Sequence, residues 1–155
     1  MTGWKIVIGA DDAGYQYKEI LRALLEGDQR VASVVDVGVG ADGHTPYPRV
    51  ASEAARMVAD GLVDRGLLVC GTGLGMAIAA NKVRGVRAVT AHDAYSVARS
   101  VLSNNAQVLT LGARVIGPEL AKTLVDGWLG LTFDPRSASS AKVELIEQMD
   151  AEESA

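Results

Sequence analysis

Apolar residues fall along this chain in two alternating rhythms. Short β-branched runs, first at 5–9, give way to stretches with apolar side chains three and four positions apart, first at Tyr17, Ile20, Leu21, Leu24 and Leu25. The first rhythm predicts a buried strand and the second a helix with one buried stripe, which Gly27 ends. The pair recurs. A strand over 34–37 leads through a glycine loop, 38–43, into a helix marked by Val50, Ala54, Met57 and Val58 and closed by Asp60 and Gly61. A strand over 66–70 is followed by a second glycine loop, 71–75, and a small-residue helix from Met76. Strands over 87–91 and 107–111 flank a helix carrying Ala94, Val97, Ala98, Val101 and Leu102. Gly117-Pro118 opens another helix, proline standing at its first position, with Leu120, Leu124 and Trp128 expected to face inward. A last helix is expected over 139–149, with residues 151–155 a frayed tail.

Short strands, apolar on both faces and alternating with helices, predict an α/β fold: a five-stranded parallel sheet covered on both sides, in a single domain over 1–155. Ligands of such sheets gather beyond the carboxyl ends of the strands. That singles out Asp11, Asp12, residues 70–75, His92, Asp93 and residues 112–114.

Composition narrows the function classes. The chain has 155 residues, 48% of them hydrophobic and 22% charged, enough for one sizeable core. Its net charge of -4 is the wrong sign for a general nucleic-acid or anionic-membrane binder, so an anionic ligand must be met by a local cluster of cations. A single cysteine, Cys70, excludes an internal disulfide and a cysteine-rich zinc site and suits a reducing compartment, with the cytoplasm as the expectation. No apolar run reaches the ~20 residues of a membrane span, and the first residues lack the apolar core of a signal peptide.

The segment Cys70-Gly71-Thr72-Gly73-Leu74-Gly75 carries the most chemistry. Three alternating glycines between a strand and a helix expose backbone N–H groups to an oxyanion. The dinucleotide fingerprint fails, because Met76 and Ile78 stand where its third glycine would fall, and no Gly-Lys-Ser or Gly-Lys-Thr occurs anywhere. A cysteine at an arbitrary strand end is an inert small hydrophobe. Beside exposed amides, its thiolate is stabilised and can serve as a base or nucleophile. A hydrolase built on it would need a histidine in reach, and His44 and His92 are the candidates. One of Asp11 and Asp12 is expected to cap the first helix, leaving the other to hold a substrate hydroxyl. His92-Asp93 reads equally as a capping pair or a proton-handling pair, and His44 as a solvated turn residue. Arg114, Arg99, Arg136 and Lys142 are the candidate phosphate cations.

Taken in order, Ile8-Gly9-Ala10-Asp11-Asp12-Ala13-Gly14, Tyr47-Pro48, the run from Cys70 to Lys82, Gly85-Val86-Arg87-Ala88, His92-Asp93-Ala94-Tyr95-Ser96 and Gly112-Ala113-Arg114-Val115-Ile116-Gly117 resemble the ribose-5-phosphate isomerase B family, which includes the galactose-6-phosphate isomerase subunits. The resemblance covers nearly the whole chain. It implies a Rossmann-like three-layer α/β/α sandwich, a homodimer or homotetramer with the active site between subunits, and no cofactor or metal. It implies interconversion of an aldose phosphate and a ketose phosphate through an enediolate. Cys70 would move the proton between carbons, Thr72 would assist between the oxygens, and the amides of Gly71, Gly73 and Gly75 would hold the enediolate. Asp11, Tyr47 and Asn104 match sugar contacts, and Arg114 matches a phosphate-site arginine.

Three departures stand out. The family's Asp-His after the first strand is Asp11-Asp12 here. Its histidine before the fifth strand, credited with ring opening, is Ser103, in the run Ser103-Asn104-Asn105. The paired arginines of its tail have only Arg136 and Lys142 as approximate substitutes. The missing ring opener bears on the substrate, because a tetrose 4-phosphate has its 4-oxygen esterified and cannot close a furanose. The run 102–107 also resembles a branch of the family that isomerises erythrulose 4-phosphate to erythrose 4-phosphate. That substrate is the first expectation. Ribulose 5-phosphate, with His92 opening the ring, is the second, and a phosphosugar-binding subunit without activity is the third.

Overall fold

The computed structural model describes residues 3–153. Five strands, β1 (Trp4–Ala10), β2 (Val31–Asp36), β3 (Arg65–Cys70), β4 (Ala88–Thr90) and β5 (Val108–Gly112), form one parallel sheet in the order β2-β1-β3-β5-β4. Six helices accompany them: α1 (Tyr15–Glu26), α2 (Tyr47–Ala59), α3 (Leu74–Ala80), α4 (Ala94–Leu102), α5 (Pro118–Leu129) and α6 (Ser140–Glu153). Successive strand residues point to opposite faces. Ile6, Ile8, Leu67, Val69, Leu109 and Leu111 therefore pack under α1, α4 and α5, while Val7, Leu68, Cys70 and Val108 pack under α2 and α3. All six residues of β3 are buried, as an apolar central strand requires. The chain leaves β1 toward β2 on one side and leaves β3 toward β4 on the other. The connections diverge at the carboxyl ends of these neighbouring strands and open a crevice between them.

Three expectations from the pattern are corrected. β2 is an edge strand whose Ala32, Ser33, Val35 and Asp36 are exposed, so the sheet is not covered on both sides there. Leu120 is 43% exposed. The buried stripe of α5 is instead Ala121, Leu124, Val125 and Trp128, because Ala121 and Val125 supply an apolar face one position on from Leu120. Finally, α6 does not fray at residue 151 but runs through Glu153, since Ala151, Glu152 and Glu153 are good helix formers with no breaker among them. Residues 154 and 155 of the expected tail lie outside the described residues.

Two buried cations brace the frame. Lys18 of α1 donates to both carboxylate oxygens of Asp36 at 2.9 and 2.8 Å and to the Val39 carbonyl at 2.7 Å, fastening the loop that leads to α2. Burial pushes the Asp36 carboxyl up, but Lys18, the Gly38 amide and Arg22 outweigh it and leave it below the usual carboxylate range. Arg65 lies 3.8 Å from the Trp4 ring centroid and 5.2 Å from that of Trp128, and it donates to the carbonyls of Trp128 in the last turn of α5 and of Leu131 just beyond it. Burial brings its pKa down to about 10, which still leaves it charged at neutral pH.

Candidate active site

β3 delivers Cys70 to the carboxyl edge of the sheet, where it is 5% exposed at the floor of a cavity of about 220 Å³. Asp11, Tyr47, Gly71, Thr72, Gly75 and Arg114 complete the lining. The glycine loop then turns sharply into α3. Gly73 adopts φ +80°, a left-handed conformation closed to most side chains, and a Cβ there would stand 2.9 Å from the Leu111 carbonyl carbon. In this conformation the Gly73 N–H donates to Cys70 Sγ at 3.1 Å. The positive end of an amide dipole thus faces the sulfur. Thr72 Oγ1 accepts from the Leu74 amide at 3.3 Å, and no carbonyl of the described residues takes the amides of Thr72 or Gly75. Gly75 leaves room for the Tyr47 ring: a Cβ on Gly75 would lie 2.8 Å from the Tyr47 hydroxyl.

The loop after β5 is tied to the glycine loop by two backbone bonds, Ala113 N–H to Cys70 O at 2.9 Å and Arg114 N–H to Gly71 O at 3.0 Å. These place the Arg114 guanidinium against Gly71, facing both the Cys70 cavity and an adjoining cleft that holds Asp12, Tyr15, Tyr17 and His44. Neither aspartate caps α1, contrary to expectation, because the N-cap position falls at Gly14; Asp11 instead closes the turn before the helix, its Oδ1 accepting from Gly14 N–H at 3.0 Å. Asp12 faces solvent, with His44 Nδ1 3.7 Å from its carboxylate. His44 is thus exposed, as expected, and stands opposite Asp12. Arg114 lines the same cleft.

His92 and Asp93 divide into two separate structural roles. Asp93 caps α4 by accepting from Ser96 N–H at 2.7 Å, which keeps its carboxyl below the usual range. His92 Nε2 accepts from Gly112 N–H at 2.8 Å. Burial lowers its pKa against the opposing effect of Asp93, and with Nε2 accepting, the proton of the neutral ring sits on Nδ1. Its acceptor nitrogen is therefore already engaged.

The remaining sequence candidates do not reach this cavity within one chain. Ser103 and Asn104 follow α4 and precede β5, at the amino edge of the sheet, and a five-residue strand separates the two edges by roughly 15 Å. Arg136 is held by Asp134 in the exposed loop before α6, and Lys142 is exposed on α6, which packs through Val143 at that same amino edge. Arg99 lies in the last turn of α4, also remote from Cys70. Sequence reasoning missed Thr90 and Thr110, whose hydroxyls meet the Gly73 carbonyl beneath the loop. Threonine is an ordinary strand former, so nothing in the sequence flagged them. Among the described residues no three His, Cys, Asp or Glu side chains are grouped to hold a metal ion, and no helix is long and apolar enough to cross a membrane.

The family model for ribose/galactose isomerases matches residues 6–146. Over 143 residues, 92% of this chain and 94% of the relative, the sequence is 70% identical to a D-erythrulose-4-phosphate isomerase 2 of Mycolicibacterium smegmatis. It is 44% identical to a ribose-5-P isomerase B of Listeria innocua, over 94% of this chain and 97% of that one. The structure superposes on that of Clostridium thermocellum ribose-5-phosphate isomerase B with a TM-score of 0.89 and 37% identity, covering 96% of this chain and 98% of the other.

Proposed function

The chain belongs to the ribose/galactose isomerase family, an enzyme family of aldose–ketose isomerases, and on that premise we propose that it interconverts D-erythrulose 4-phosphate and D-erythrose 4-phosphate, with Cys70 as the proton-transferring base. The carrying observation is the sulfur at the cavity floor, 3.1 Å from the Gly73 amide nitrogen. Cys70 thiolate takes a proton from C1 of the ketose, and the electron pair moves to the C2 oxygen to give an enediolate. The free amides of the loop stabilise that developing charge because they are already oriented for it. Thr72 passes a proton between the two oxygens, and the Cys70 thiol returns its proton to C2. Asp11 and Tyr47 hold the hydroxyls, and Arg114 meets the phosphate. Only protons move, so the chemistry calls for no redox cofactor, and a reducing cytoplasm would keep the thiol free.

A tetrose 4-phosphate suits this site because it needs no ring opener. Ser103 has no imidazole, and the His92 acceptor nitrogen is engaged by Gly112. The same reading makes the active unit a homodimer or homotetramer. Ser103, Asn104, Arg136 and Lys142 stand at the amino edge of one chain and would complete the Cys70 cavity of a second copy.

Turnover of erythrulose 4-phosphate and ribulose 5-phosphate by one preparation tests the substrate. Preference for the tetrulose is expected, and preference for the pentulose would return ring opening to the chain. Cys70→Ser should abolish solvent proton exchange into the substrate while leaving binding. Wild-type protein that binds both phosphosugars yet exchanges no proton would be a binding subunit instead. Mixing Cys70→Ser with Asn104→Ala protein should regain activity by forming hybrid sites, and failure to do so would place each site within one chain.

A further inference from the structure

Beneath the glycine loop lies a polar pair that the mechanism above does not use. β4 and β5 are in register at Thr90 and Thr110, whose Oγ1 atoms lie 2.7 Å apart. Both also reach the Gly73 carbonyl, Thr110 at 2.8 Å and Thr90 at 3.1 Å. Thr110 is fully buried. A buried hydroxyl is costly unless bonded, and valine has the same shape without that cost. The Thr110 proton goes either to Gly73 O or to Thr90, and in the second case the Thr90 proton goes on to Gly73 O. Either arrangement ends on the same carbonyl.

Gly73 is consequently held at three points. The Leu111 backbone leaves no room for a side chain on its α-carbon, its carbonyl accepts from the hydroxyl pair and from the Ala77 amide, and its own N–H is aimed at Cys70 Sγ. We propose that Thr90 and Thr110 are positioning residues for Cys70: they hold Gly73 in its left-handed turn so that its N–H stays on the sulfur and stabilises the thiolate. This inference rests on Cys70 being the proton-transferring group, but the arrangement it describes can be measured without substrate. Cys70 is the sole cysteine, so the ultraviolet absorbance of the thiolate, corrected with Cys70→Ser protein, titrates one group.

Thr110→Val keeps the volume and removes the hydroxyl, Thr110→Ser does the reverse, and Thr90→Val tests the outer member. In Thr110→Val, and more so in the double valine variant, the thiolate titration is expected to move to higher pH. The acidic limb of kcat/KM should move with it, and kcat should fall about tenfold while KM changes little. Thr110→Ser should titrate like wild type. A wild-type titration in Thr110→Val, or equal shifts in Thr110→Val and Thr110→Ser, would overturn the proposal, the latter by making packing the cause. Should the double variant fail to fold, the two single valine variants carry the same comparison. Shifted titrations in a protein whose wild type isomerises no phosphosugar would uphold the positioning and refute the functional reading alone.

Discussion

Gly75→Ala separates the stability of the fold from the geometry of the site, because the first should hardly change while the second is disturbed. Gly75 lies in the first turn of α3, where alanine favours the helix by about 1 kcal/mol. Its new Cβ, however, would stand 2.5 Å from Tyr47 Cζ and 2.8 Å from the hydroxyl, inside the van der Waals envelope of the ring. Tyr47 is 39% exposed at the start of α2, so the ring can swing outward, at a cost of about 1 kcal/mol of lost burial. The two contributions nearly cancel, and the thermal midpoint should move by no more than about 4 °C. The displaced ring no longer reaches a substrate hydroxyl. One neutral hydrogen bond of about 1.4 kcal/mol then removes about tenfold from kcat/KM, chiefly through KM. Circular dichroism melts and initial rates on erythrulose 4-phosphate supply both numbers, and Tyr47→Phe supplies the control. If Tyr47 is the route, Gly75→Ala and Tyr47→Phe will be far from additive. Unchanged kcat/KM in Gly75→Ala, or full additivity, would refute the reasoning.

Lys18→Met should destabilise the protein by about 1–3 kcal/mol in urea unfolding, since it leaves the Val39 carbonyl without its donor and Asp36 with only Arg22 and the Gly38 amide; a loss under about 0.5 kcal/mol would show the network to be dispensable. Arg65→Met should cost about 2 kcal/mol by leaving the Trp128 and Leu131 carbonyls without their donor, with kcat/KM on the opposite edge unchanged. His92 supplies a pH signature. Its imidazole is held below the ordinary value of 6.5 in the fold, so the unfolded chain binds the proton more readily. Its contribution to stability is present above that value and lost as pH falls through it toward the lower folded value. Urea midpoints of wild type should therefore fall between about pH 7 and pH 5 more steeply than those of His92→Gln, and parallel curves would show that the ring is not desolvated as described.

What could be read from the sequence differs between the two edges of the sheet, for a physical reason. Cys70, the glycine loop, Asp11 and Arg114 were legible because strand, turn and helix start are contiguous, and the local pattern alone aims their backbone at one point. Leu120 was misplaced by one position because a stripe of three apolar residues does not fix helix phase when Ala121 and Val125 can supply the buried face. The charged braces were invisible: Lys18 and Asp36 meet only because β2 returns beside β1, and Arg65 finds Trp4 and Trp128 only once α5 has crossed the sheet. The separation of Ser103, Asn104, Arg136 and Lys142 from Cys70 belongs to this class of long-range facts. Strand direction determines it. In a parallel sheet every segment entering a strand lies at one edge and every segment leaving a strand at the other. Residues placed before β5 and after β3 therefore cannot meet in one chain, whatever their chemistry. Two copies whose opposite edges face each other can bring them together, and the hybrid-site experiment with Cys70→Ser and Asn104→Ala measures whether this chain does so.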